Sequence, residues 1–138
     1  MTGPTETTRR GVYLRDGYRC AACAAVEGLS FQHRRAVGMG GSKLVPSPVD
    51  GLTLCLVCNE ACERELQDRA LAYGWKVRKW VTSPDRVPVY FPHEFSWYRF
   101  EGMLRVRISS AVAMEMGCAV YGDEWMKWRA HALFGGMR

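Results

Sequence analysis

Cys20-Ala21-Ala22-Cys23 and Cys55-Leu56-Val57-Cys58-Asn59 bracket the triplet Gln32-His33-Arg34, and this stretch decides how the rest of the chain is read. Two Cys-x2-Cys pairs are what tetrahedral Zn²⁺ uses to close a structural site. The 31 residues between the pairs exceed the loop of a simple zinc ribbon. They leave room for a small hairpin carrying His33 and for a variable loop. The expectation is a metal-held finger with Cys20, Cys23, Cys55 and Cys58 as ligands. Cys62 lies four residues past Cys58, on the same helical face. It is read as a small buried apolar residue, with a spare or substitute ligand as the alternative.

Composition sets the frame around that finger. The 138 residues are 48% hydrophobic and 24% charged, an ordinary balance for one domain, or one small domain with appendages. A formal charge of +5 suits a nucleic-acid partner without demanding one. Four thiolates around one Zn²⁺ carry −2, so the folded charge falls from +5 toward +3. Any footprint on DNA must then come from the arrangement of cations rather than from their total. The opening Met1-Thr2-Gly3-Pro4-Thr5-Glu6 has no apolar core of a signal peptide, and no run approaches 18 apolar residues. The expectation is an intracellular, cytoplasmic protein with no membrane span, in which cysteine pairs hold metal rather than disulfides.

Taken in order, residues 1–9 read as a flexible polar tail. Val12-Tyr13-Leu14 reads as the last turn of a helix or as a short strand, and Asp16-Gly17 as a turn. Leu29 and Phe31 alternate as one face of a strand. Strict alternation adds His33 to that face; a strand ending there frees it to point into a cleft. Gly38-Met39-Gly40-Gly41-Ser42 reads as a flexible loop without the Gly-Lys-Ser/Thr ending of a phosphate-binding loop. Beyond Cys58, the spacing of Cys62, Leu66, Ala70 and Tyr73 predicts one helix that Gly74 ends. Trp75 to Val81 alternates as a strand that puts Lys76, Arg78 and Trp80 on one side. That face reads either as a phosphate- or base-contacting surface or as an edge of the core lined by basic stems. Val87 to Phe91 reads as extended, and Met103 to Ile108 as a strand. Ser109-Ser110 and Asp123 read as helix caps, with Trp125, Trp128, Ala132 and Leu133 on one face of the last helix.

The order Cys20-x2-Cys23, Gln32-His33-Arg34-Arg35, a Gly-rich loop, and Asp50-Gly51-Leu52-Thr53-Leu54-Cys55-x2-Cys58-Asn59 resembles the HNH endonuclease family, in particular small members from phages of actinobacteria. The Gly38–Ser42 stretch and Ala72-Tyr73-Gly74-Trp75 accompany those proteins too. The resemblance covers about residues 10–92. It implies an α+β fold built on a ββα-metal finger with additional strands, domain limits of 10–92, and an extension over 93–138. That extension is expected to pack on the finger or to offer its C-terminal helix to a host or phage protein.

The resemblance also implies chemistry, position by position. His33 falls on the general base that activates water. Gln32 falls where the family has a metal-binding Asp, Asp50 where it has Asn, and Asn59 where it has the closing metal-binding His. Phosphodiester hydrolysis needs a nucleophilic water, and a cation to hold charge developing on the phosphate. Gln32 and Asn59 offer only neutral carbonyl oxygens to Mg²⁺ or Mn²⁺. Asp50 restores one carboxylate ligand or orients His33. Arg34, Arg35, Lys43 and Arg78 are the expected contacts to double-stranded DNA, arginine suiting phosphate bidentately. The expected activity is metal-dependent DNA cleavage. The alternative is a degenerate finger that binds DNA or a host protein as a regulator.

Overall fold

The computed structural model describes residues 3–36 and 45–134, an α+β arrangement of five α-helices and five strands among them. Lys43 and the Gly38–Ser42 loop lie outside the described residues. Helix α1 spans Glu6–Arg15. Thr5 caps it by accepting from the Thr8 N–H, while Glu6 and Arg15 oppose the helix dipole at the two ends. The flexible tail expected for residues 1–9 is thus a capped helix from Glu6 onward, and Val12–Leu14 is helical.

Strand β1 (Leu29–His33) pairs antiparallel with β2 (Gly51–Cys55), with His33 opposite Gly51 and Leu29 opposite Cys55. Helix α2 (Leu56–Ala61) follows directly, so the cysteine pairs enclose a strand–strand–helix unit. A second short helix, α3 (Gln67–Ala72), comes after a run of turns. The single helix expected from Asn59 to Tyr73 is therefore broken in two. Gly74 ends α3 with φ +75°, and an added Cβ there would collide with the Pro88 carbonyl.

Strands β3 (Val89–Phe91), β4 (Ser96–Glu101) and β5 (Leu104–Ile108) form a separate antiparallel sheet in that order. Because β3 pairs with β4, a domain limit at residue 92 would cut through this sheet. Residues 93–134 pack on the preceding elements, β4 on β3 and the last helix on α3. Trp75 to Val81 does not form the strand its alternation predicts. Only Val77 makes a bridge, to Arg35, while Trp75 and Lys76 lie in a bend and Lys79 and Trp80 in a turn. Trp75 and Val77 are buried because they plug the core, and period-two burial arises here without a ladder.

Helices α4 (Ser110–Tyr121) and α5 (Asp123–Phe134) close the fold. Ser109 caps α4 by accepting from Val112 N–H. Trp125 and Trp128 face inward as expected, but Leu133 is exposed. Trp125 packs so tightly on Gly117 that a Cβ on that glycine would meet its ring. Burial divides the interior into two clusters. Leu52, Leu54, Trp75, Phe91 and Phe100 gather with the cysteines in one. Leu71, Val77, Val87, Trp97 and Trp125 form the other, under α5.

Candidate zinc centre and hairpin site

The first cysteine pair sits on a tight knuckle after α1. Ala24 N–H donates to the Cys20 carbonyl and Cys20 N–H to the Ala25 carbonyl, each at 2.8 Å. Ala24 takes a positive φ of 67° to make the turn. The second pair straddles the end of β2 and the start of α2, where Cys58 N–H donates to Cys55 Sγ at 3.4 Å. Pairing of Leu29 with Cys55 brings the two halves together. All four sulfurs lie within 4.8 Å of one another. Cys23 Sγ and Cys55 Sγ are 3.8 Å apart. That is the edge of a tetrahedron with Zn–S of about 2.3 Å, and far beyond a disulfide bond.

Electrostatics fit a cation at that centre. Burial raises the Cys20 thiol, against hydrogen bonds from backbone N–H groups that pull it down. Burial and then the charge on Cys20 push Cys58 up. Burial acts on Cys55 too, yet the Cys58 N–H and neighbouring thiols donate to it and carry it below the ordinary value. Four thiols this close favour one thiolate at their neighbours' expense, and a dication among them would let all four ionise. Cys62 is fully buried, and burial pushes its thiol up to about 12. It belongs to the core and stands outside the four-sulfur group.

The hairpin sorts the remaining residues between its two faces. Phe31 and His33 share one face, their rings 5.3 Å apart and nearly perpendicular. Thr53 is on that side and its hydroxyl reaches the Val12 carbonyl of α1. Ser30 and Gln32 occupy the opposite face, where Asn59 of α2 donates to Ser30 Oγ at 3.1 Å. The structure therefore groups Gln32 with Asn59 and leaves His33 on the α1 side. Strict alternation holds to the end of β1.

Asp50 ends a 3-10 turn (Pro48–Asp50) just before β2. Its carbonyl accepts from the Arg34 N–H at 2.7 Å, which keeps it beside His33. Its carboxylate is engaged already. Arg35 Nε and Nη2 donate to Oδ1 at 2.9 and 2.7 Å, and the Ser47 hydroxyl donates to Oδ2 at 3.1 Å. Among the described residues the four cysteines are the only group of three or more His, Cys, Asp or Glu placed to hold a metal.

Burial lowers the His33 pKa below the ordinary imidazole value; Asp50 raises it in part and Arg9 adds to the lowering. The shift favours the neutral imidazole, the form able to accept a proton. The same shift bears on stability. As pH falls, the unfolded chain takes up this proton first, so the contribution is complete above about pH 6.5 and is lost through the lower folded pKa. The melting temperature of the wild-type chain is expected to fall more steeply between pH 7 and pH 5.5 than that of His33→Gln. Parallel curves would mean that His33 is not held neutral.

Arg34 corrects the expectation of a phosphate contact. It is 0% exposed, and its guanidinium donates to the carbonyls of Gly74, Val49, Pro84 and Val87 at 2.8–3.1 Å. Burial, then the nearby Arg15 charge, press its pKa down to about 9, which leaves it charged at neutral pH. Arg35 is half-buried on Asp50 and the Val81 carbonyl. Arg78 lies over the Trp128 ring at 5.3 Å.

Compared with family models, curated proteins and solved structures, the chain matches none. The described helices include none long and apolar enough to cross a membrane.

Two polar constellations escaped the sequence reading. Arg15 and Asp16 form a buried pair at 2.8 Å, with Arg15 also donating to Pro48 and Gly51 carbonyls and Asp16 accepting from Thr53 N–H. This pair fastens the end of α1 to β2. On the second sheet, Glu94 accepts from Tyr98 Oη at 2.7 Å and from Arg105 at 2.6 and 3.1 Å. Burial would raise the Glu94 carboxyl, but these donors hold it below the usual range. No spacing rule announces either set, since each joins residues through turns. Alternation of Arg105 and Arg107 against Leu104, Val106 and Ile108 was the one signal that a polar group would gather on β5.

Proposed function

We propose that this chain is an HNH-type ββα finger that holds structural Zn²⁺ on Cys20, Cys23, Cys55 and Cys58 and hydrolyses DNA phosphodiesters with His33 as general base. The observation carrying the reading is His33 at the end of a hairpin that two paired-cysteine knuckles hold in strand–strand–helix order. A divalent ion such as Mg²⁺ or Mn²⁺ would be held largely by substrate phosphate beside His33, since buried Gln32 and Asn59 lie on the opposite, α2 face of the hairpin. Asp50 serves this scheme by keeping an acidic group beside His33, while Arg35 holds it in place. His33 takes the proton of the attacking water; the other residues position and neutralise.

A second reading is favoured by two specific contacts. Asp50 is satisfied by Arg35 and Ser47, and Asn59 donates its amide N–H to Ser30 on the face away from His33. Neither stands as a free ligand beside His33. On this reading the finger binds DNA as a regulator without cutting it.

Incubation with supercoiled plasmid in Mg²⁺, Mn²⁺ or added Zn²⁺ separates the two. The nuclease reading expects nicking that falls by about 100-fold or more in His33→Ala, the usual worth of a general base. Salt-sensitive DNA binding with no cleavage in any metal supports the regulator and overturns the enzyme.

A further inference from the structure

Trp80 is 61% exposed, yet it is not loose. Its ring meets Tyr121 edge-on at 5.5 Å and 86°, and Tyr121 in turn packs on Trp128 at 4.9 Å. The Tyr121 hydroxyl accepts from the Arg78 N–H at 3.1 Å, which fixes the backbone two residues before Trp80. With that contact made, most of the indole still faces solvent. Arg78 and Lys79 precede it directly, and among the described residues neither is paired with a carboxylate. The segment is also tied to the hairpin. Val77 N–H donates to the Arg34 carbonyl at 2.7 Å, and the Arg35 guanidinium reaches the Val81 carbonyl at 3.0 Å. A rigid aromatic ring beside Lys79 and Arg78, the latter over the Trp128 ring and without a carboxylate partner among the described residues, therefore adjoins the residues that follow His33.

We propose that Trp80 is a stacking platform for an unpaired base, with Lys79 and Arg78 taking the flanking phosphates of a single DNA strand. This rests on the DNA reading above and deepens it by naming the substrate form: DNA with a melted, frayed or single-stranded stretch beside the His33 site. Every base has a π-face, so such a ring is tolerant of sequence, while the cations supply salt-dependent attraction. A base buried in duplex stacking cannot reach the indole. A single strand brings both chemistries at once.

Fluorescence polarisation of the intact, zinc-loaded chain with a labelled oligothymidylate and with a duplex of equal length tests this. Trp80→Ala should weaken single-strand binding about 5- to 100-fold with an unchanged melting temperature, and Trp80→Phe should recover part of the loss. Lys79→Gln should reduce the slope of log K against log salt by about 0.7. Single-strand affinity unchanged in Trp80→Ala, or wild-type chain that binds no single strand at low salt, overturns the proposal. The outcomes stay separable from those of the nuclease reading. Trp80-dependent binding without plasmid cleavage keeps the platform and removes the enzyme. His33-dependent cleavage with Trp80-independent binding does the reverse.

Discussion

Stripping the metal with a strong chelator is expected to unfold the chain well beyond the finger. Structural zinc contributes apparent free energies of about 10–16 kcal/mol in small finger peptides, as much as a whole domain's net stability of about 5–15 kcal/mol. The site here is no peripheral clip. Cys20, Cys55 and Cys58 pack in the same cluster as Leu52, Leu54, Trp75, Phe91 and Phe100, so their sulfurs are core atoms. Thiolates that lose a bound cation are expected to take up protons, because burial favours the neutral thiol at Cys20 and Cys58. The expected result is one tightly held zinc per chain by elemental analysis, and loss of near-ultraviolet tryptophan dichroism on chelation. Adding Zn²⁺ should restore it, with release of protons. Cys58→Ser should behave like the chelated protein, whereas Cys62→Ala should keep its zinc and lose only packing. A chelated chain that melts where the native one does would remove the metal from the account of this fold.

Arg34→Ala is expected to be the most damaging substitution outside the zinc ligands. Its guanidinium links β1 to four carbonyls on three separate stretches: Val49, Gly74, and the Pro84–Val87 turn. Each buried carbonyl left without a donor costs about 1–3 kcal/mol, so the loss is on the order of 4 kcal/mol or more. Phe100 would lose a partner as well, because Arg15 and Arg34 lie 3.6 and 5.2 Å from its ring centroid. Lysine cannot span the same acceptors with one ammonium, so Arg34→Lys should recover little. Arg35→Ala, at a half-buried pair, should cost far less. Urea unfolding of the three variants beside the wild type measures this directly. Were Arg34 a phosphate contact instead, Arg34→Ala would leave the midpoint unchanged and weaken DNA binding alone.

The contrast between Arg34 and Arg35 shows where reading the chain stops. In sequence they are equivalent neighbours after His33, both suited to phosphate. The strand ends at His33, the backbone turns, and one guanidinium enters the interior while its neighbour stays near the surface. Burial of an arginine depends on carbonyls contributed by residues 15 to 53 positions away, and no local pattern encodes that. Trp75 to Val81 failed for a related reason. Its alternation is real, but a strand needs a partner edge, and here only Val77 finds one.

What the chain alone determined is the set of features carried by spacing. The two Cys-x2-Cys pairs predicted four converging sulfurs, period-two alternation predicted the strand through Leu29 and Phe31, and serine at position 109 predicted a helix cap. Each is local, or follows the four-coordinate geometry that a zinc site would require. The tertiary structure alone decided that Gln32 and Asn59 face α2 while His33 faces α1, that Asp50 answers to Arg35, and that residues 93–134 complete the sheet and core. Those outcomes hang on which distant groups reach one another first in a close-packed interior, where a polar atom must find its partner or unfold the region around it.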